Sequence, residues 1–345
     1  MPTTILDRLA AYADVSHALT GLSDDQLAEL LAGGQVLGSG IGGATVGLDV
    51  EGIRVFAKKI PLTDIEMQAG NRSATANLFE LPTFYQYPMG SAGFGVWREL
   101  AAHTMTTDWV RAGGYPGFPL TYHWRILPGP MPTSAGIGGF ADIEEAVARW
   151  DGSPAVRQRL EAISAAGNSV VVFMEYIPRT LRDWLNDPDA DFDRAEAQLT
   201  AGLDFMRAYG FVHFDAHFNN ILADGDHVYF SDFGLAACDG FDLSEPERRF
   251  LSDHRDFDRA YVGTGLAARL VDKIRSEVHP LEFLRTWIAG DADRSQLSAH
   301  AAAMVDRYAP LAVTTLEFHR ALEGSGKAAR QWPSGAIAKE LAAAA

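Results

Sequence analysis

Apolar residues recur at helical spacing through the start of the chain, as at Ile5, Leu9 and Tyr12. Ser23 to Gln26 then has the form of a capping box, in which a serine and a glutamine three residues later satisfy each other's backbone N–H groups. Two consecutive glycines end the pattern. We therefore expect residues 1–33 to form an N-terminal helical extension with a packing role.

The apolar spacing changes to that of strands after this extension. Thr45–Val50 and Ile53–Ile60 are separated by a Glu-Gly turn, which predicts a β-hairpin. Phe118–Ile126 and the apolar, β-branched run Val170–Ile177 predict two further strands, the second of them buried.

Helical spacing returns in later segments and dominates the second half of the chain. We expect helices at residues 96–110, 143–150, 154–166 and 192–209, and over much of 264–345. Two long stretches, near 61–95 and 128–167, interrupt the strands. They exceed the usual connection length, which favours either a functional flap or partly ordered decoration.

Composition and charge narrow the function classes. The chain has 345 residues, 47% of them apolar, and a formal net charge of −16, which argues against nucleic acid and anionic membranes as partners. The single cysteine, Cys238, excludes an internal disulfide and a multi-cysteine zinc site. With neither a signal-peptide pattern nor an apolar run of 18 residues, we expect a cytoplasmic protein.

Three side chains that could bind a cation lie close together in the sequence. Asp215, Asn220 and Asp232 fall within 18 residues. The segment 221–230 between the last two has an apolar start, an Asp-Gly turn and a β-prone end, which predicts a hairpin that returns Asp232 to the side of Asn220. Mg²⁺ prefers such oxygen ligands and takes others from phosphates.

The spacing His213-x-Asp215-x-x-x-x-Asn220 followed by Asp232-Phe233-Gly234 resembles the catalytic loop and metal motif of the protein-kinase-like superfamily. Either motif alone would be weak, since a polar loop can carry Asp-Phe-Gly by chance. The resemblance implies Asp215 as the residue that aligns the acceptor hydroxyl, with His213 beside it in the catalytic set. Asn220 and Asp232 would bind Mg²⁺.

The same resemblance implies an α+β, bilobal protein-kinase-like fold. A small antiparallel sheet with one key helix would form a nucleotide-binding lobe at residues 34–177, including both long insertions. A larger, mostly helical lobe at 178–345 would bind the acceptor.

A glycine-rich stretch precedes the first predicted hairpin. Gly38, Ser39, Gly40 and Gly43 belong to a G-x-G-x-x-G pattern, which is weak alone and would indicate a Rossmann fold only if a helix followed. Because a strand follows, it is similar to the kinase loop whose backbone N–H groups approach phosphates. It departs from the family at Thr45, where valine is usual.

The family places a phosphate-binding lysine in the next strand, and here two lysines are adjacent. The family pattern Ala-x-Lys matches Ala57-x-Lys59, and alternation puts those two residues on one face and Lys58 on the other. We therefore predict Lys59, with Lys58 as the alternative. Glu99, early in the helix at 96–110, matches the family's glutamate that pairs with this lysine.

The end of the buried strand resembles the kinase hinge. The resemblance implies that the backbone of Met174, Glu175, Tyr176 and Ile177 binds the nucleotide base. The alternative is a core strand that merely ends at Pro178.

Two departures concern the acceptor. Phe214 stands where many protein kinases have an arginine that pairs with a phosphorylated activation loop, and His217 stands where protein kinases have lysine. Protein kinases have roughly 20 to 30 residues between this glycine and the end of the segment that binds a peptide. Here Glu245-Pro246-Glu247 ends only 13 residues after Gly234, so that segment looks truncated. The pattern is similar to that of aminoglycoside and related small-molecule phosphotransferases, with His217 donating to the transferred phosphate.

The sequence thus predicts an Mg²⁺-dependent kinase that moves the γ-phosphate of ATP or GTP to a hydroxyl of a small molecule. An antibiotic or natural product is one such acceptor, with self-resistance as one biological role. A bacterial serine/threonine protein kinase and a nucleotide-binding pseudokinase are the alternatives. Asp256 is expected, by family analogy, to support the catalytic-loop backbone.

Overall fold

The computed structural model describes residues 4–40, 43–129, 142–274, 278–295 and 297–344. Within them the chain is α+β. An antiparallel sheet is built from the first half of the chain, and helices make up most of the second half.

The main sheet has five strands in the order β1-β2-β3-β5-β4, and every neighbouring pair is antiparallel. The strands are β1 Gln35–Gly40, β2 Gly43–Val50, β3 Ile53–Leu62, β4 Thr121–Pro128 and β5 Asn168–Glu175. The predicted hairpin, now β2–β3, and both later strands are confirmed, with ends shifted by a few residues.

Two smaller sheets lie in the second half of the chain. One has the order β6-β8-β9 and the other pairs β7 with β10. Their strands are β6 Arg179–Thr180, β7 Phe211–Val212, β8 Ile221–Ala223, β9 Val228–Phe230 and β10 Ala237–Cys238. The hairpin predicted between Asn220 and Asp232 is therefore present as β8–β9.

The helices described before β7 are α1 Ile5–Gly21, α2 Asp24–Ala32, α3 Asp64–Met67, α4 Val96–Arg111, α5 Ile143–Arg149, α6 Pro154–Ser164, α7 Leu181–Trp184 and α8 Phe192–Ala208. Of these, α1, α2 and α4 pack on the main sheet. The helices after β10 are α9 Glu245–Asp253, α10 Phe257–Ile274, α11 Pro280–Ala289, α12 Ala299–Glu323 and α13 Ser334–Ala344. Single 3₁₀ turns lie at Ala69–Asn71, Thr83–Gln86 and Lys327–Ala329.

The N-terminal extension is two helices with a break between them. The predicted capping box is present, since Gln26 N–H donates to Ser23 Oγ at 3.2 Å and Ser23 N–H donates to Gln26 Oε1 at 2.8 Å. Satisfying these N–H groups lets α2 begin independently of α1.

Strand alternation gives the main sheet two apolar faces, and different helices cover them. Val55, Ala57 and Phe173 point to the face that packs with α1 and α2. Ile60 and Val172 point to the opposite face, where α4 packs. The sheet is therefore buried on both sides, and the face toward α4 also borders the candidate site.

The two insertions are packed against each other. Buried residues from 79–94 and from α5 and α6 form a separate apolar group, which we call the insertion cluster: Phe79, Leu81, Tyr85, Phe94, Ala146, Val147, Trp150, Val156 and Leu160. Both are thus ordered where they are described. The glycine- and proline-rich part of the second insertion, 130–141, lies outside the described residues.

None of the helices in the described ranges is both long and apolar enough to cross a membrane.

Candidate active site

A cleft of about 410 Å³ lies between the main sheet and the segment from β7 to β10. Phe56 and Lys58 of β3 line one wall, and Asn220 and Asp232 line the opposite wall. Residues 174–180, which include the end of β5 and the segment after it, close one side. The fold thus brings together the strand lysine, the hinge segment and the two candidate metal ligands, which the sequence separates widely.

Lys58, and not Lys59, extends into this cleft. Its Nζ lies 2.7 Å from Glu99 Oε1 and 2.8 Å from Asp232 Oδ1. Lys58 is 5% exposed, whereas Lys59 is only half-buried and makes no ion pair within the described ranges. The predicted pairing of Lys59 with Glu99 is therefore wrong, because Glu99 pairs with Lys58.

The error came from choosing the wrong face of β3. Ala57 and Lys59 do share a face, as predicted, but that face turns toward α1 and α2. Phe56 and Lys58 share the face toward the cleft. A family pattern fixed the spacing but could not show which face of the strand borders the cleft.

The ion pairs set the charge state of the cleft. The surrounding protein would by itself raise the pKa of Asp232, but the Lys58 ammonium more than offsets this and lowers that pKa to about 2. Burial disfavours the charged form of Lys58, yet the carboxylates of Asp232 and Glu99 raise its pKa above the ordinary value. Asp232 is therefore ionised at neutral pH while 43% of its side chain stays exposed to the cleft.

Asp215 lies beside Asn220 in the loop between β7 and β8. Asn220 Nδ2 donates to Asp215 Oδ2 at 2.9 Å and to the Asp215 carbonyl at 3.1 Å. Burial, followed by the negative charge of Asp232, raises the pKa of Asp215 well above its ordinary range. A cation bound at Asp232 would oppose the second of these effects.

His213 connects the loop that carries Asp215 with the residue before Asp232. Its Nδ1 accepts from the Asp215 N–H at 3.3 Å, so the proton is on Nε2, which donates to the Ser231 carbonyl at 2.9 Å. Burial lowers its pKa to about 4, which keeps the ring neutral. His213 is fully buried and both of its ring nitrogens are engaged, so it links the Asp215 backbone to that of Ser231.

A buried aspartate on α10 holds the loop backbone, and it is Asp258 rather than the predicted Asp256. The Asp258 carboxylate accepts from the N–H groups of His213 at 2.6 Å and Phe214 at 2.9 Å. Phe214 has a φ of +63°, a conformation that costs a non-glycine residue about 1–3 kcal/mol. The two hydrogen bonds help to hold that conformation. Asp256 instead pairs with Arg207 at 3.0 Å.

His217 faces Asp215 from the outer side of the loop. The Asn220 N–H donates to His217 Nδ1 at 3.2 Å, so a neutral His217 carries its proton on Nε2. That atom lies 3.6 Å from Asp215 Oδ1. Burial lowers the pKa of His217 below its usual value, so at neutral pH the side chain is an uncharged N–H donor.

Two oxygens of the site remain available for a cation. Asn220 donates through Nδ2 and Asp232 accepts through Oδ1, which leaves Asn220 Oδ1 and Asp232 Oδ2 without a protein partner among the described residues. One carboxylate and one amide oxygen suit Mg²⁺, which binds few protein ligands and completes its shell with phosphates and water. A site built from three or more His, Cys, Asp or Glu side chains is not found in the described part of the chain.

The hinge prediction falls on the edge of the cleft. Met174 to Ile177 line it, and the backbone of Tyr176 and Ile177 makes none of the loop hydrogen bonds found in the described ranges. The backbone N–H and C=O groups of these two residues are thus available to form hydrogen bonds with a bound ligand. The Glu175 backbone N–H instead donates to the Leu120 carbonyl at 2.8 Å.

The carboxylate of Glu175 is bound by Arg8 of α1. Arg8 donates to both Glu175 carboxylate oxygens at 2.8 Å and to the carbonyls of Pro116 and Phe118. The N-terminal extension therefore binds the end of β5, where the hinge is predicted. The sequence did not reveal this role, since an arginine in a helix of mixed composition carries no signal of its distant partner.

The glycine-rich stretch forms the β1–β2 hairpin at the mouth of the cleft. Gly38 pairs with Thr45, Ser39 with Ala44, and Gly40 with Gly43. Thr45, which departs from the family pattern, donates from Oγ1 to the Gly38 carbonyl at 3.2 Å and so links the two strands. The tip, residues 41–42, lies outside the described residues.

Comparison of the chain with protein-family models and with curated proteins finds no match to either.

Proposed function

We propose that this protein is a bilobal, protein-kinase-like phosphotransferase that moves the γ-phosphate of ATP or GTP to a hydroxyl of a small molecule. The observation that carries the proposal is the buried contact of Lys58 with both Glu99 and Asp232, at a cleft that Asn220 also lines. Asp215 lies next to this cleft, since Asn220 Nδ2 donates to its carboxylate at 2.9 Å. A structural ion pair alone would not require Asp232 to keep a free, exposed oxygen.

In this proposal each residue either neutralises charge on the phosphates or positions a reactant. The hinge backbone binds the base, and Lys58, fixed by Glu99, neutralises phosphate oxygens. Mg²⁺ held by Asn220 and Asp232 would supply further charge neutralisation of the phosphates. Asp215 accepts a hydrogen bond from the acceptor hydroxyl, aligns it for attack and takes its proton as the bond to phosphorus forms, while the phosphoryl group leaves the nucleoside diphosphate.

The preference for a small acceptor rests on the segment after Gly234. Residues 235–244 are mostly buried and lead directly into α9, whose Glu247 binds Arg98 at 2.7 Å. Phe214 is fully buried against Phe250 and Phe257, so an aromatic cluster fills the region where family members have the arginine for a phosphorylated loop. Neither feature suits a peptide platform or control by phosphorylation of that segment.

A thermal-shift titration with ATP or GTP, with and without Mg²⁺, tests nucleotide and metal binding. We expect Mg²⁺ to increase the stabilisation by nucleotide in the wild type and to have no such effect in D232N. A matched D226N variant, at an exposed aspartate paired with Arg194, should behave as wild type. Full metal-dependent activity in D232N would refute the assignment.

An acceptor screen with γ-labelled nucleotide then decides the substrate class. Label in small hydroxyl compounds supports the proposal. Label in protein, and none in small molecules, would instead establish the protein-kinase alternative.

A further inference from the structure

The first insertion contacts the turn that carries Asp232. Gln86, on the 3₁₀ turn Thr83–Gln86, donates from Nε2 to the Leu235 carbonyl, and both partners are buried. This carbonyl lies three residues after Asp232. The first insertion therefore forms a hydrogen bond with the backbone of the turn that carries the proposed metal ligand Asp232.

Gly93 makes a second contact with the same turn. Its φ is +70°, and a Cβ atom placed there would lie 2.3 Å from the Gly234 carbonyl oxygen. Such a distance is far inside van der Waals contact, so the two backbones meet at a point where only glycine fits. Gln86 and Gly93 thus contact consecutive carbonyl groups, those of Leu235 and Gly234, in the turn that begins at Asp232.

The same insertion also fixes the start of α4, which carries Glu99. Glu66 is fully buried and accepts from the Val96 N–H at 2.8 Å, one of the free N–H groups of the first helical turn. Arg159 of α6, in the second insertion, donates to the other Glu66 oxygen at 3.1 Å. The two insertions therefore act together on this helix end.

Both insertions are anchored in turn to the helical half of the chain. Tyr87 Oη lies 2.8 Å from His254 Nε2, and Asp151 accepts from the backbone N–H groups of Gly326 and Lys327. Segments held by such bonds to other parts of the fold open locally less readily than loops without them.

We infer that the two insertions form a brace that positions Asp232 and Glu99, the two carboxylates bound to Lys58. Gln86 and Gly93 are positioning residues for Asp232, and Glu66 is one for Glu99. The inference rests on the proposed function only where it treats Asp232 as a metal ligand. In this chain Phe214 replaces the arginine that would pair with a phosphorylated loop. The brace would hold the turn at Asp232 in place without such a loop.

The sharpest test compares G93A with G152A in the full-length protein. Gly152, in the second insertion, has nearly the same φ of +71°, but a Cβ there would meet nothing within 4 Å. Both variants therefore carry the same backbone strain, and only G93A also collides with Gly234. A second pair, Q86A and N77A, removes side-chain hydrogen bonds from the same insertion, but only Q86A affects the turn, because Asn77 bonds locally to Leu81.

Hydrogen exchange of the peptide covering residues 233–237 is the first readout, and it needs no ligand. We expect faster exchange there in G93A and Q86A than in G152A and N77A, because the Ala236 N–H bond to the Phe233 carbonyl closes this turn. Equal exchange within both pairs would overturn the brace, whatever the protein binds.

The second readout is the Mn²⁺ concentration that gives half of the full thermal shift with ATP. Loss of a group that orients a metal ligand weakens metal binding by about 10- to 100-fold, and we expect this for G93A and Q86A alone. An unchanged Mn²⁺ requirement in these two variants, alongside faster exchange, would refute the positioning of Asp232. A wild type without any ATP–Mn²⁺ shift would refute the proposed function and, with it, the role of Asp232 as ligand, while the exchange data still decide the brace.

Discussion

Replacing Lys58 by methionine tests the assignment of the cleft lysine most directly. Methionine keeps most of the side-chain volume but removes the ammonium that lies 2.7 Å from Glu99 and 2.8 Å from Asp232. Two carboxylates are then left close together without a counter-ion. The matched control is K59M, at a half-buried lysine without an ion pair in the described ranges.

The magnitude follows from the burial of the partners. Removing one member of a buried ion pair typically costs about 3–5 kcal/mol, because the other member stays desolvated and unpaired. Glu99 is nearly fully buried, but 43% of the Asp232 side chain is exposed and is screened by water. We therefore expect K58M to lower the free energy of unfolding by about 3 kcal/mol, and K59M to change it by less than about 0.5 kcal/mol.

The pH dependence supplies a second check with a definite sign. In the wild type the pKa of Asp232 is lowered from 3.8 to about 2, so its stabilising contribution is present above pH 3.8 and is lost as the pH falls through 2. Without Lys58 the unpaired carboxylates bind protons more readily in the native state. The stability gap between wild type and K58M should therefore be smaller at pH 4 than at pH 7.

Equilibrium urea unfolding at both pH values measures these quantities, and thermal shift with ATP and Mg²⁺ follows ligand binding in the same variants. A larger loss of stability or nucleotide binding in K59M than in K58M would refute the reasoning. So would a K58M protein as stable as wild type at pH 7.

Two further predictions concern the loop between β7 and β8. Burial raises the pKa of Asp258 from 3.8 to about 7, so its contribution to stability is greatest below pH 3.8 and falls as the pH rises through 7. Between pH 5 and pH 8 the wild type should lose about 3 kcal/mol more than D258N, measured by urea unfolding, while D256N keeps the wild-type slope. A D258N protein with the wild-type slope would contradict the assignment. For His217, whose Nε2–H faces Asp215, H217A should lower kcat by about 100-fold with little change in the KM for nucleotide, whereas the exposed H227A should not. A rise in nucleotide KM without loss of kcat in H217A would place His217 at the nucleotide instead.

Local sequence information accounts for most of the secondary structure. The β2–β3 hairpin, the capping box at Ser23 and the β8–β9 hairpin all depend on side-chain alternation, turn residues and bonds between near neighbours. Such features are encoded within a few residues, so the sequence predicts them without knowledge of the remaining fold. The closeness of Asn220 to Asp215 and of Asp232 to that pair was predictable for the same reason.

Contacts between distant segments were not predictable in this way. The sequence indicated that one of two adjacent lysines serves the cleft, but only the packing of α1 and α2 on one face of β3, and of α4 on the other, decided for Lys58. A strand exposes both faces equally until other elements cover them. Asp258 was missed in favour of Asp256 for a related reason, since which aspartate at the start of α10 reaches the loop depends on how that helix docks.

Most helices and strands, and the spacing of the candidate motifs, were thus predictable from the sequence alone. Only the folded arrangement shows which lysine pairs with Glu99, that Arg8 binds Glu175 at the end of β5, and where the insertions pack. Arg8 lies 167 residues from Glu175, and Gln86 lies 149 residues from Leu235. Contacts of that range arise when separate elements fold against one another to bury their apolar faces and pair the polar groups left between them.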